Sequence, residues 1–88
     1  MMLLKIKRLG EGLHPSETFV SVETRNGPEQ LAVDAKSLRN GTLLIGWPVG
    51  KDGGFLLVEL PRPTASGARR VWVRKEELVP DKTARKTA

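Results

Sequence analysis

Thr18-Phe19-Val20-Ser21-Val22-Glu23-Thr24-Arg25-Asn26-Gly27 decides the fold, because it reads as one arm and the turn of a β-hairpin. Thr18, Val20, Val22 and Thr24 fall on one side of an extended chain, and Phe19, Ser21 and Glu23 on the other. That period of two is what a half-buried strand requires. Asn-Gly follows directly, the dipeptide that most readily supplies φ > 0 for a tight hairpin turn. Pro28 limits pairing at the start of the return strand, residues 29–33.

Working outward, the same punctuation recurs. Residues 3–9 alternate loosely, Leu4 and Ile6 against Lys5 and Lys7, as a Lys-protected strand at a sheet edge would. Residues 10–15 read as a loop. Asp34 can cap a single helical turn that folds Leu38 inward and ends at Asn40-Gly41. Residues 42–49 and 55–60 are apolar on both faces, as buried strands are. A glycine-rich turn, 50–54, separates them. Residues 61–68 form a proline- and glycine-bearing loop, 69–74 the last strand, and 75–79 a tight turn before Pro80. Five or six short strands with glycine-rich turns and no long helix predict an all-β domain, a small barrel or sandwich. Runs that are apolar on both faces favour the barrel.

The second half carries a resemblance. Gly46-Trp47-Pro48-Val49, a glycine turn, the strand 55–60, a polar loop, and Val71-Trp72-Val73 leading to Leu78-Val79-Pro80 resemble the second half of a bacterial SH3-like barrel, over residues 42–80. The likeness implies a barrel of five to six short strands with a short helical turn near the C-terminus. It does not imply proline-rich ligand binding, because the chain has no tyrosine and its loops lack acidic clusters.

Eighty-eight residues make one domain, expected over 1–80, with 81–88 a disordered basic tail. A chain this short buries about 60–65 % of its unfolded surface. With no cysteine, neither a disulfide nor a thiolate metal site adds to the core. The amino-terminal residues are too charged for a signal-peptide core, and no stretch approaches a membrane span, so the expected setting is the cytoplasm, with no membrane partner.

The formal net charge is +5, which invites a nucleic-acid reading. Its distribution weakens that reading. Lys5, Lys7 and Arg8 supply the excess at one end, and Lys82, Arg85 and Lys86 against Asp81 supply it at the other. Residues 10–80 hold nine basic and nine acidic side chains. Within them, 10–35 carry five acids and one base, Arg25, whereas 36–75 carry eight bases and two acids.

Chemistry-bearing constellations are scarce. His14 is the only histidine and has no partner at ligand spacing; a loop histidine before Pro15 is most simply exposed. The serines lack a nucleophile-elbow context, and no carboxylate pair is placed to split acid and base roles. Gly50-Lys51-Asp52-Gly53-Gly54 lacks the spacing of a phosphate-cradling loop and reads as a hairpin turn. Catalytic residues, metal ligands and a cofactor are therefore not expected, and the chain is read as a non-enzyme. Trp47 is expected in the core or anchoring a loop, and Phe19 half exposed.

The candidate binding surface is Arg70-Val71-Trp72-Val73-Arg74. If Val71 and Val73 enter the core, Arg70, Trp72 and Arg74 share the opposite face. An aromatic ring between two guanidiniums suits a peptide plane, an aromatic or a base. The simpler reading packs Trp72 against the amino-terminal strand with its arginines solvated. The expected function is an accessory module that binds a protein through its last strand. The alternative is RNA or DNA binding, with Trp72 stacking and Arg69, Arg70, Arg74 and Lys75 neutralising phosphates. Monomer or weak homo-oligomer are both compatible, since segments 42–49 and 55–60 are more apolar than a thin barrel needs.

Overall fold

A computed structural model describes residues 2–80; the expected tail lies outside them. The chain is all-β. Ten short strands form three antiparallel sheets: β1 (Met2–Lys5), β2 (Lys7–Glu11), β3 (Glu17–Thr24), β4 (Gly27–Asp34), β5 (Leu38–Arg39), β6 (Thr42–Ile45), β7 (Gly50–Asp52), β8 (Phe55–Glu59), β9 (Arg70–Arg74) and β10 (Leu78–Pro80). Sheet A has the order β10-β1-β6-β5, sheet B β2-β3-β4, and sheet C β7-β8-β9. Single 3₁₀ turns, Ala35–Ser37 and Lys75–Glu77, precede β5 and β10.

All three sheets feed one core. Leu4, Leu43 and Ile45 come from sheet A, Val20, Val22 and Val33 from sheet B, and Val58, Val71 and Val73 from sheet C, all at most 7 % exposed. The sheets are stitched together where strands run on from one to the next. Between β1 and β2 the Ile6 N–H donates to the Gly41 carbonyl at 3.1 Å, extending sheet A, and ahead of β7 the Val49 N–H donates to the Leu57 carbonyl at 2.8 Å, extending sheet C. The Arg25 N–H donates to the Trp72 carbonyl at 2.8 Å and ties the end of β3 to β9. Ladder pairing does not run round a closed barrel, and the strands outnumber the five or six expected.

The reasons are local. The strand expected over 42–49 stops at Ile45. Pro48 has no N–H to offer a ladder and restricts Trp47 before it, so pairing resumes only beyond it. Trp47 consequently turns outward and is 66 % exposed rather than in the core. The expected loop from residue 10 begins later, because Gly10 and Glu11 still pair with Phe19 and Thr18 across a β-bulge at Leu9. The expected turn at 50–54 narrows, since 50–52 pair with 55–57.

The decisive hairpin forms, with its turn one residue earlier than Asn26-Gly27 suggests. Thr24 pairs with Gly27, leaving Arg25 and Asn26 at the tip. Only Gly27 takes positive φ, +107°. The Thr24 hydroxyl fastens the tip, accepting from the Asn26 N–H at 3.2 Å and donating to the Gly27 carbonyl at 2.6 Å. This geometry puts Arg25 at the corner nearest sheet C. Asp34 caps the first 3₁₀ turn as expected, its carboxylate accepting from the Lys36 N–H at 3.0 Å, and Leu38 packs on the core.

Candidate functional site

Strand alternation builds the site. Val71 and Val73 are buried, so Arg70, Trp72 and Arg74 line the outer face of sheet C. On β8 next to it, Val58 is buried, and Phe55, Leu57 and Glu59 come to the same outer face, opposite Arg74, Trp72 and Arg70. This explains why residues 55–60 are apolar on both faces: one face fills the core and the other supports Trp72. On β7, Gly50 lets the backbone come close to Leu57, with the indole at ordinary contact distance. A Cβ there would lie 3.1 Å from the Leu57 Cβ and 3.6 Å from the Trp72 Cη2.

The hairpin tip covers one face of Trp72: the Arg25 guanidinium carbon sits 4.5 Å from the Trp72 ring centroid and 4.9 Å from that of Phe55. Both distances are within cation–π range. Arg25 Nη1 also donates to Asp52 Oδ2 at 2.9 Å, so one guanidinium touches two rings and a carboxylate. The clasp joins sheet B to sheet C and half-buries Trp72.

The flanking cations differ in freedom. Arg70 Nε donates to Glu59 Oε2 at 3.1 Å across the β8–β9 pair. Arg74 has no ion pair among the described residues and lies by an open cleft lined by Glu23, Thr24, Glu76 and Glu77. Arg69 and Lys75 flank the row instead of sharing its face. Arg69 turns toward the Pro61 carbonyl at 3.5 Å, and Lys75 opens the 3₁₀ turn with its N–H on the Gly54 carbonyl at 3.0 Å. The structure thus gathers Arg70, Trp72 and Arg74, and leaves Arg69 and Lys75 at the ends.

Trp47 and Val49 (53 % exposed) lie on the linker leading into β7 and are exposed apolar side chains. The 61–68 loop is a firm neighbour. Thr64, 5 % exposed, accepts the Ala68 N–H on its hydroxyl at 3.2 Å and bonds the Ser66 hydroxyl at 3.0 Å. The Ala65 N–H donates to the Gln30 carbonyl at 2.7 Å, so the loop covers the β4 edge.

Sequence reasoning missed Arg25, Asp52, Phe55 and Leu57 as parts of this face. The alternation of β8 was readable as a second outward row, but Arg25 reaches sheet C only through the three-dimensional meeting of β3 and β9. His14 is exposed, and no group of three or more His, Cys, Asp or Glu among the described residues is placed to hold a metal ion. No helix among them is long and apolar enough to cross a membrane. No protein-family model, curated protein or solved structure matches the chain.

Proposed function

We propose that this chain is a non-enzymatic, cytoplasmic accessory module of SH3-like type that binds a protein partner through the outer face of β9. One observation carries the reading: Trp72 lies between Arg70 and Arg74 on an outer sheet face, half-buried and not in the core. Large aromatics and arginine at the centre of a surface, with charges round them, are the composition of protein-binding patches. The SH3-like part is supported by strands that pass from sheet to sheet around one core and by the 3₁₀ turn that leads into the final strand.

Nucleic-acid binding is favoured by one feature, the run of cations Arg69, Arg70, Arg74 and Lys75. It is disfavoured by Arg25, which already occupies a ring face of Trp72 where a base would stack. Two measurements separate the readings. Co-purification from the native cell compares the wild type with Arg70→Gln/Arg74→Gln; the reading expects a discrete protein lost by the variant while the variant still unfolds cooperatively. Fluorescence anisotropy of labelled single-stranded RNA and double-stranded DNA at ~50 and ~200 mM salt is expected to show only weak, salt-sensitive binding. Salt-resistant binding that Arg74→Glu abolishes would replace the protein reading with the nucleic-acid one.

A further inference from the structure

We infer that Trp72, Phe55 and Asp52 form a seat for an arginine side chain, closed in the free chain by Arg25, and that a partner segment opens it by putting an arginine of its own in that place. The inference rests on the outer face of sheet C being a protein-binding face and names the chemical group that this face receives.

What lies in the seat defines its chemistry. One guanidinium, that of Arg25, meets two ring faces and donates to the Asp52 carboxylate at 2.9 Å. Ring faces attract a cation and stack best on a planar one, and a carboxylate accepts its N–H groups. All three walls belong to sheet C: Asp52 and Phe55 pair across β7 and β8, and Phe55 shares the outer face with Trp72 on β9. Strand pairing therefore holds the walls together whether or not Arg25 lies between them. The occupant alone comes from outside the sheet, at the tip of the β3–β4 hairpin.

The Arg25 side chain can leave while the hairpin stays. The backbone tie from the Arg25 N–H to the Trp72 carbonyl does not involve the guanidinium, and the Thr24 hydroxyl fastens the tip independently. The Arg25 and Asp52 side chains are 34 % and 63 % exposed, so an incoming group reaches the contact from solvent. Charge beside the seat is balanced and does not turn a second cation away. Arg70 is paired with Glu59 at 3.1 Å, and Arg74 shares an open cleft with Glu23, Glu76 and Glu77. Once a partner's arginine is seated, Arg70 and Arg74 on either side donate to carbonyls of the segment that carries it. A seat filled by the chain's own residue binds more weakly by the fraction of molecules in which it stands open. Two partly exposed ring contacts and an exposed ion pair set that factor at about tenfold.

The test is a two-dimensional NMR titration of the full chain with end-capped Gly-Arg-Gly, Gly-Lys-Gly and Gly-Gln-Gly at constant ionic strength, up to about 100 mM because one such contact alone binds weakly. The Trp72 indole N–H is the reporter, told apart from that of Trp47 by Trp47→Phe. The arginine peptide is expected to shift this signal in Arg25→Ala, and at equal concentration to shift it about tenfold less in the wild type. The lysine peptide is expected to shift it less than the arginine peptide, since an ammonium does not stack, and the glutamine peptide not at all. Asp52→Asn added to Arg25→Ala is expected to reduce the arginine response. The wild type ranks the peptides in the same order, so the test does not depend on the variant folding. Equal shifts from the arginine and glutamine peptides overturn the seat, and equal responses of wild type and Arg25→Ala overturn its closure by Arg25. A cellular protein that depends on Arg70 and Arg74 but holds no tighter to Arg25→Ala sinks this inference and leaves the binding-face reading standing; that reading falls only if no such protein is found.

Discussion

Replacing Arg25 by alanine tests the physical link between the hairpin and the site. The turn position tolerates most residues, so the change acts through the side chain. Two ring contacts at 4.5 and 4.9 Å are lost together. A partly exposed cation–π contact contributes about 0.5–1 kcal/mol, and because one guanidinium serves both rings their sum is set near 1–1.5 kcal/mol. The ion pair adds little. Arg25 and Asp52 side chains are 34 % and 63 % exposed, and such pairs contribute about 0.2–1 kcal/mol. The expected destabilisation is about 1.5 kcal/mol, which for a domain of this size lowers Tm by roughly 6–12 °C. Urea unfolding measures it directly. Asp52→Ala alone is expected to cost under about 0.5 kcal/mol. Arg25→Lys keeps the charge but loses the planar stack, and falls between wild type and Arg25→Ala. If Arg25→Ala matched the wild-type midpoint, the clasp would contribute nothing and the covered state of Trp72 would need another cause.

Further outcomes follow from single positions. Gly27→Ala places a Cβ at φ +107° and is expected to cost about 1–3 kcal/mol in urea unfolding, although nothing lies within 4 Å of that Cβ. Leu60→Ala, at a side chain 1 % exposed, is expected to cost about 2–5 kcal/mol, a large share of the roughly 4–13 kcal/mol such a domain holds. Thr64→Val strips the hydroxyl that organises the 61–68 loop, so the Ala68 amide should exchange its proton faster with a stability loss of about 1–2 kcal/mol.

Much of the local structure was legible and the assembly was not. Alternation in 18–24 and in 70–74 assigned the inner and outer faces correctly, because valines at every second position leave one burial choice. Asp34 announced its 3₁₀ turn, because a carboxylate before a short polar run has few other uses. Trp47 misled, since the same alternation carried past Ile45 would bury it; Pro48 broke the ladder first. The arrangement in three sheets was equally hidden, because a bulge at Leu9 and the departure of β1 from β2 at Ile6 leave no mark in hydrophobic periodicity. Of the candidate site, the row Arg70, Trp72 and Arg74 was readable from one strand alone. Its cover by Arg25, distant in sequence, depends on which hairpin corner meets β9, and that is a property of the whole fold.

The central claim is that the outer face of β9 meets a protein. The most direct measurement puts a photo-crosslinking residue at Arg74 in the native cell, with the same residue at Asn40, in the turn between β5 and β6, as the control. The account predicts one or a few discrete protein adducts from position 74, and none of these from position 40. Adducts to nucleic acid at 74, or the same adducts from both positions, would contradict it.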